Sequence, residues 1–324
     1  MKKVEFSALP VSHDLRTFGV MTLPSLACSL CQGRLQPADR FCTSCGSAQF
    51  QVDQLPSPPG GSLKTYRYHT EQVRSPDLAG ISDRGLWHSI NEDAIAVDGL
   101  SGGRSALIVC DGVSSSEKPE QASAIAASTT IAALHHIDEQ VTPPQALTQA
   151  IAQAQSAVCD LAPSAPTNPP ATTIIAALLQ PKTRHTLATI AWLGDSRAYW
   201  IAQTQAQLLT QDDSWMNTMS RSGKLTLSEA ARSPYAHAIT RWLGQSTAHP
   251  PSIVQLPLHQ EGYLILCSDG FWNYVADPDQ LSQICHATPI QPAISIAHQL
   301  VNHALACGGQ DNISVAIYHN RPLP

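Results

Sequence analysis

The stretch Ser105-Ala-Leu-Ile-Val-Cys-Asp111-Gly112 constrains this chain more than any other. A short apolar run that breaks into Asp-Gly and then Val113-Ser114-Ser115-Ser116 reads as a buried strand delivering a carboxylate to an edge. A charge at such a place needs a cation, a hydrogen-bond network or water, because desolvating it alone is costly. The pattern recurs at Tyr263-Leu-Ile-Leu-Cys-Ser-Asp269-Gly270. Two further acidic spots, Asn91-Glu92-Asp93 and Gln310-Asp311-Asn312, stand beside residues 94–97 and 313–318, which also read as strands. Each Asp-Gly taken alone is most simply a turn. Four carboxylates carried to strand ends, Glu92, Asp111, Asp269 and Asp311, point instead to hard divalent cations, since oxygen-only donors suit Mg²⁺ or Mn²⁺.

The remaining pattern places strands on both sides of helices. Residues 106–110, 173–179, 187–193, 198–201 and 263–267 read as further strands, and 119–137, 144–161 and 292–306 as amphipathic helices. In the first helix Ala122, Ala126, Thr129, Ala133 and Ile137 form the expected buried stripe. Thr226-Leu-Ser-Glu229 is a capping box that starts a short helix, and Ser116 is the expected cap of the helix near Pro119. Few strand-helix-strand alternations predict antiparallel sheets with helices outside. At 43% hydrophobic residues over 324 positions there is enough apolar surface for a sizeable core.

Charge narrows the function classes. Residues 63–324 carry 14 Lys and Arg against 21 Asp and Glu, so the main body is acidic and argues against a nucleic-acid partner. No apolar run approaches the roughly 18 to 20 residues that span a bilayer, which predicts no membrane association. Nine cysteines, with Cys110 and Cys267 inside apolar strands, fit a reducing, cytoplasmic setting.

The N-terminal region differs in kind. Cys28-Ser-Leu-Cys31 and Cys42-Thr-Ser-Cys45 are two Cys-x-x-Cys pairs spaced to close a tetrahedron of thiolates around one structural Zn²⁺. So small a fragment needs the metal to fold. It resembles the zinc-ribbon knuckles attached to bacterial regulatory proteins, and its expected role is to dock a protein partner or to steady the N-terminus. The expected organisation is a zinc-binding module over residues 1–50, a Pro/Gly linker over 51–62 and one large domain over 63–324.

From about Gly80 to Tyr318 the chain resembles the PPM-type, protein phosphatase 2C-like serine/threonine phosphatases of bacteria. The resemblance rests on nine pieces in family order: Ser82-Asp-Arg-Gly85, Asn91-Glu-Asp-Ala94, Val109-Cys-Asp-Gly112, Ala171-Thr-Thr173, Leu193-Gly-Asp-Ser-Arg-Ala-Tyr199, Leu209-Thr-Gln-Asp-Asp-Ser214, Ile239-Thr-Arg-Trp-Leu-Gly244, Leu266-Cys-Ser-Asp-Gly270 and Gly308-Gly-Gln-Asp-Asn312. It implies an α+β four-layer αββα sandwich, two antiparallel sheets flanked by helices, with a two-metal carboxylate centre at one edge. In that pattern Asp111 bridges two Mg²⁺ or Mn²⁺ ions, Gly112 offers its carbonyl, Glu92 binds directly or through water, and Asp269 and Asp311 hold the other ion. Asp93 then accepts hydrogen bonds behind them, and Asp195 marks where relatives hold a third, weaker metal. The implied reaction is hydrolysis of phosphoserine or phosphothreonine in proteins, opposing a Ser/Thr kinase, with a flap over residues 214–240.

Two departures qualify the resemblance. His88 stands where the family carries an Arg that grips the substrate phosphate, and imidazole cannot make that planar bidentate contact. Ser114, Ser115 and Ser116 follow where glycines are usual. Arg84 and Ser114 are therefore alternative phosphate donors beside His88, and a pseudophosphatase or phosphoprotein-binding scaffold is the alternative reading.

Overall fold

The computed structural model describes residues 26–27, 34–35, 69–162, 167–287 and 291–321. Two short strands, β1 (Leu26–Ala27) and β2 (Arg34–Leu35), pair antiparallel. Cys28 and Cys31 fall between them in sequence, and all four cysteines of the expected zinc module lie outside the described residues. The main body begins with β3 (His69–Ser75), β4 (Leu78–Asp83), β5 (Asp93–Gly99), β6 (Ser105–Asp111), α1 (Pro119–His136) and α2 (Pro143–Asp160). It continues with β7 (Ile174–Pro181), β8 (Thr186–Leu193), β9 (Arg197–Ala202), β10 (Gln205–Leu208), α3 (Trp215–Arg221) and α4 (Leu227–Ala230). It ends with β11 (Ser252–Leu258), β12 (Gly262–Cys267), α5 (Asp269–Trp272), α6 (Pro278–Cys285), α7 (Ala293–Ala306) and β13 (Ile313–Asn320).

Two antiparallel sheets result, one in the order β10-β9-β12-β13-β4-β3 and the other β11-β8-β7-β6-β5. Side chains alternate along each strand, so both faces of each sheet must be covered. In β6, Leu107 and Val109 meet Leu264, Leu266 and Ala316 of the other sheet, whereas Ala106, Ile108 and Cys110 turn outward against α1 and α2. In β12, Tyr263, Ile265 and Cys267 turn outward against α5, α6 and α7. Three apolar layers thus separate four structural ones, the αββα sandwich expected from the sequence.

Register brings the chemistry to one edge. Asp93 lies opposite Asp111, Ile174 opposite Leu193, and Cys267 opposite both Arg197 and Val315. The ends of β6, β8 and β12 and the starts of β5, β9 and β13 therefore share one rim of the sandwich.

Two local expectations are corrected and a third holds. The buried stripe of α1 runs through Ser123, Ala127, Thr130 and Leu134 as well as Ala122, Ala126 and Ala133, so Thr130 rather than Thr129 faces the sheet. Ser116 does not cap α1. Lys118 holds that position in a left-handed conformation at φ 53°, and Ser116 is tied to Ala171, whose backbone N–H donates to its Oγ at 3.2 Å. The capping box at Thr226 and Glu229 forms with both of its hydrogen bonds, as expected.

Candidate metal centre and active site

Each predicted carboxylate arrives at the rim for a local reason. Asp111 is the last residue of β6, and its main chain is held by the Ala171-Thr-Thr173 segment: Thr173 Oγ1 accepts from its N–H at 3.1 Å, while the Thr172 hydroxyl and Thr173 N–H donate to its carbonyl at 2.9 and 2.8 Å. Asp269 opens α5 directly after β12. Glu92 precedes β5, and its N–H donates to Asn312 Oδ1 at 2.6 Å, which binds the Glu92 loop to the one that carries Asp311. The Asn312 amide also donates to the carbonyls of Arg84 and Ile90, at 2.7 and 3.1 Å.

Both Asp-Gly steps are close approaches of backbone rather than free turns. A Cβ on Gly112 would stand 2.6 Å from the Pro119 carbonyl oxygen and 2.7 Å from that of Glu92, and one on Gly270 would collide with the carbonyl of Asn312.

The fifth acid, Asp195, lies in the turn between β8 and β9. Its carbonyl accepts from Trp272 Nε1 at 2.9 Å, and the Trp272 ring supports the Arg197 guanidinium at 3.6 Å. Arg197 itself is spent on Asp212, with bonds of 2.9 and 2.7 Å.

Burial pushes the carboxyls of Asp111, Asp93 and Asp195 well above the usual carboxylate range, and neighbouring acids push them further. Asp269 is raised to about 6, first by burial and then by Asp311. Asp93 accepts from the Ser268 hydroxyl at 2.8 Å and so sits behind the rim. Among the described residues, no three His, Cys, Asp or Glu side chains already close around a common point. A Mg²⁺-like ion keeps several waters and takes only one or two carboxylates directly. Spaced, half-buried, mutually repelling oxygen donors fit such ions.

The sequence-predicted phosphate contacts separate here. His88 Nε2 stands 3.3 Å from Asp311 Oδ1, at the rim. Arg84 donates to the Ser89 carbonyl at 3.4 Å within the same loop. The Ser114 hydroxyl donates to Glu92 Oε2 at 2.5 Å and therefore serves a carboxylate in this structure. Sequence reasoning missed Asn312, Ser268 and Thr173 as the residues that hold the acids in place. The first two adjoin Asp311 and Asp269, and only that adjacency signalled them.

Residues 214–240 fold into α3 and α4 on a closed base. Trp215 and Met216 N–H groups donate to Ala238 and Ala236 at 2.8 and 3.0 Å, and Thr240 N–H to Asp213 at 2.7 Å. Asp213 Oδ2 accepts from Gly194 N–H at 3.1 Å, which joins this base to the turn carrying Asp195.

The sequence of protein phosphatase 2C domains matches residues 88–305. The chain belongs to the protein phosphatase 2C family. Within it, the serine/threonine protein phosphatase PstP of Mycobacterium tuberculosis is 30% identical over 242 residues, 74% of this chain and 44% of PstP. The chain thus spans less than half the length of that relative. Among solved members of the family, the PPM Ser-Thr phosphatase MsPP from Mycobacterium smegmatis, in complex with cacodylate, superposes with a TM-score of 0.62 at 26% identity, covering 76% of this chain and 99% of that one. The catalytic domain of PstP in complex with two manganese ions gives a TM-score of 0.60 at 25% identity, covering 78% of this chain and 99% of that one.

Proposed function

We propose that this chain is a metal-dependent phosphoprotein phosphatase that hydrolyses phosphoserine and phosphothreonine. The observation that carries the reading is the rim of half-buried carboxylates, Glu92, Asp111, Asp269 and Asp311, gathered at one edge of a protein phosphatase 2C sandwich. Two Mg²⁺ or Mn²⁺ ions, when bound, supply an acidified water and a clamp on the phosphoryl oxygens. The chain's own part is placement. Asp111 would be a donor to the ions, on a main chain held in place by Thr172 and Thr173. Gly112 would add a carbonyl, Asp269 and Asp311 would be further donors, and Asp195 would be a donor to a third, weaker ion. Asp93 keeps Ser268, and with it the start of α5, in position. His88, at the end of the rim beside Asp311, contacts the substrate phosphate with one donor instead of the two a guanidinium offers.

The α3–α4 segment is the flap that covers the bound phosphopeptide, and the natural counterpart of the enzyme is a Ser/Thr kinase. Cys28, Cys31, Cys42 and Cys45 hold one structural Zn²⁺ in a module that docks a protein partner, a reading supported by their spacing. No helix among the described residues is long and apolar enough to cross a membrane. The free thiols of Cys110 and Cys267, buried in strands, suit a cytoplasmic setting.

Calorimetric titration with Mn²⁺, followed by phosphate release from a phosphothreonine peptide, tests the proposal. Two ions per main domain and turnover abolished by EDTA are expected. Ion and peptide binding without any turnover would favour the scaffold alternative.

A further inference from the structure

Seven large hydrophobic side chains stand exposed among the described residues, and three of them, Leu86, Trp87 and Ile90, fall within five positions. Scattered exposed apolar residues need no explanation, but a cluster does. These three are 58%, 51% and 53% exposed and flank His88, which touches Asp311. Two more of the seven, Leu227 and Tyr235, belong to the 214–240 segment, whose base is joined to the turn carrying Asp195.

The loop that carries Leu86, Trp87 and Ile90 is held rigid. Leu86 N–H donates to the Gly309 carbonyl at 2.7 Å, Trp87 Nε1 to that of Gly308 at 3.2 Å, and Asn312 grips the carbonyls of Arg84 and Ile90. Its indole edge is thus fixed while half of the ring faces solvent. A fixed aromatic loses little freedom on binding, and such residues dominate recognition surfaces. Charge selects the occupant: the body carries 21 acidic against 14 basic residues over positions 63–324, which disfavours acidic residues beside the substrate phosphate.

We propose that Leu86, Trp87 and Ile90 form a docking surface for a bulky apolar residue adjacent to the phosphorylated Ser or Thr of the substrate. The inference rests on the phosphatase reading and narrows its substrate class.

Three phosphothreonine peptides, identical except for Phe, Gly or Asp beside the phosphorylated residue, test it in the full-length Mn²⁺-loaded protein. The Phe peptide is expected to exceed the Gly peptide about tenfold in kcat/KM, with the Asp peptide lowest. Trp87→Ala and Ile90→Ser should erase that preference by raising KM for the Phe peptide, and Trp87→Phe should keep most of it. Equal turnover of the three peptides by the wild-type protein would overturn the proposal. So would a Trp87→Ala loss equal for all three, which would mean that the ring supports the loop or receives another segment of this chain. Peptide binding read by tryptophan fluorescence separates the two levels: selective binding of the Phe peptide without turnover upholds the docking surface and defeats the phosphatase reading. Binding without selectivity defeats the docking surface itself.

Discussion

The Ser114 hydroxyl, 2.5 Å from Glu92 Oε2, occupies one lone pair of a carboxylate assigned here to cation binding and fixes its direction. Partners of this kind orient metal ligands, and their loss typically costs tenfold or more in affinity. Ser114→Ala should therefore weaken Mn²⁺ binding about tenfold in a calorimetric titration, with the fold unchanged by circular dichroism. Unaltered affinity would make the hydroxyl a mere solvent substitute. The sequence announced Ser114 as unusual but not its partner, because a hydroxyl donates to phosphate or carboxylate with equal ease. Ser116 shows the same limit: read as a helix cap, it is held instead by the main chain of Ala171, 55 residues away. His88 was legible as a departure, whereas its contact with Asp311 depends on how two distant loops meet.

At the scale of elements, legibility followed unbroken apolar runs: β4 is buried along its length but, interrupted by Gly80, Ser82 and Asp83, offers none. β6 and β12 are apolar on both faces because they lie between a sheet and a helix layer, so they stand out as continuous runs. β3, almost wholly exposed with the sequence His69-Thr-Glu-Gln-Val-Arg-Ser75, carries no such signal and was not anticipated. β11, at the edge of its sheet, contains Pro257, which an edge strand tolerates and which obscures the pattern. The short helices α3, α5 and α6 offer too few turns for periodicity to register. Asp-Gly was legible as a pair, but its physical reason was not: Gly270 is needed because the Asn312 carbonyl passes where a Cβ would sit. Gly270→Ala forces backbone apart, so it should cost about 1 to 3 kcal/mol in urea unfolding. It should also weaken Mn²⁺ binding by displacing Asp269 or Asp311. A variant as stable as the wild-type protein would contradict this packing.

For the whole molecule, the acidic rim sets stability and cation binding against each other. Burial raises the carboxyls of Asp111, Asp93 and Asp195, and that of Asp269 to about 6, above their unfolded values. For such groups the folded state favours the protonated form, so their contribution is fully present below the ordinary carboxylate range and is lost as pH rises through their raised values, about 6 for Asp269. Cation binding needs the ionised form and strengthens over the same interval. In EDTA, Tm should fall between about pH 5 and about pH 7.5, and saturating Mn²⁺ should raise Tm more at the higher pH. A Mn²⁺ effect that is the same at both would contradict the assignment of these acids.

If Asp111 and its neighbours form a two-metal hydrolytic centre, phosphate release from a phosphothreonine peptide by wild type and Asp111→Asn, each with Mn²⁺, with Mg²⁺ and with EDTA, reads it out. The wild-type protein should turn over with either ion and not in EDTA. Asp111→Asn should lose at least about a hundredfold, the scale of removing a group that stabilises transition-state charge. Turnover that survives EDTA or the substitution would contradict such a centre, as would silence from folded, Mn²⁺-bound wild-type protein.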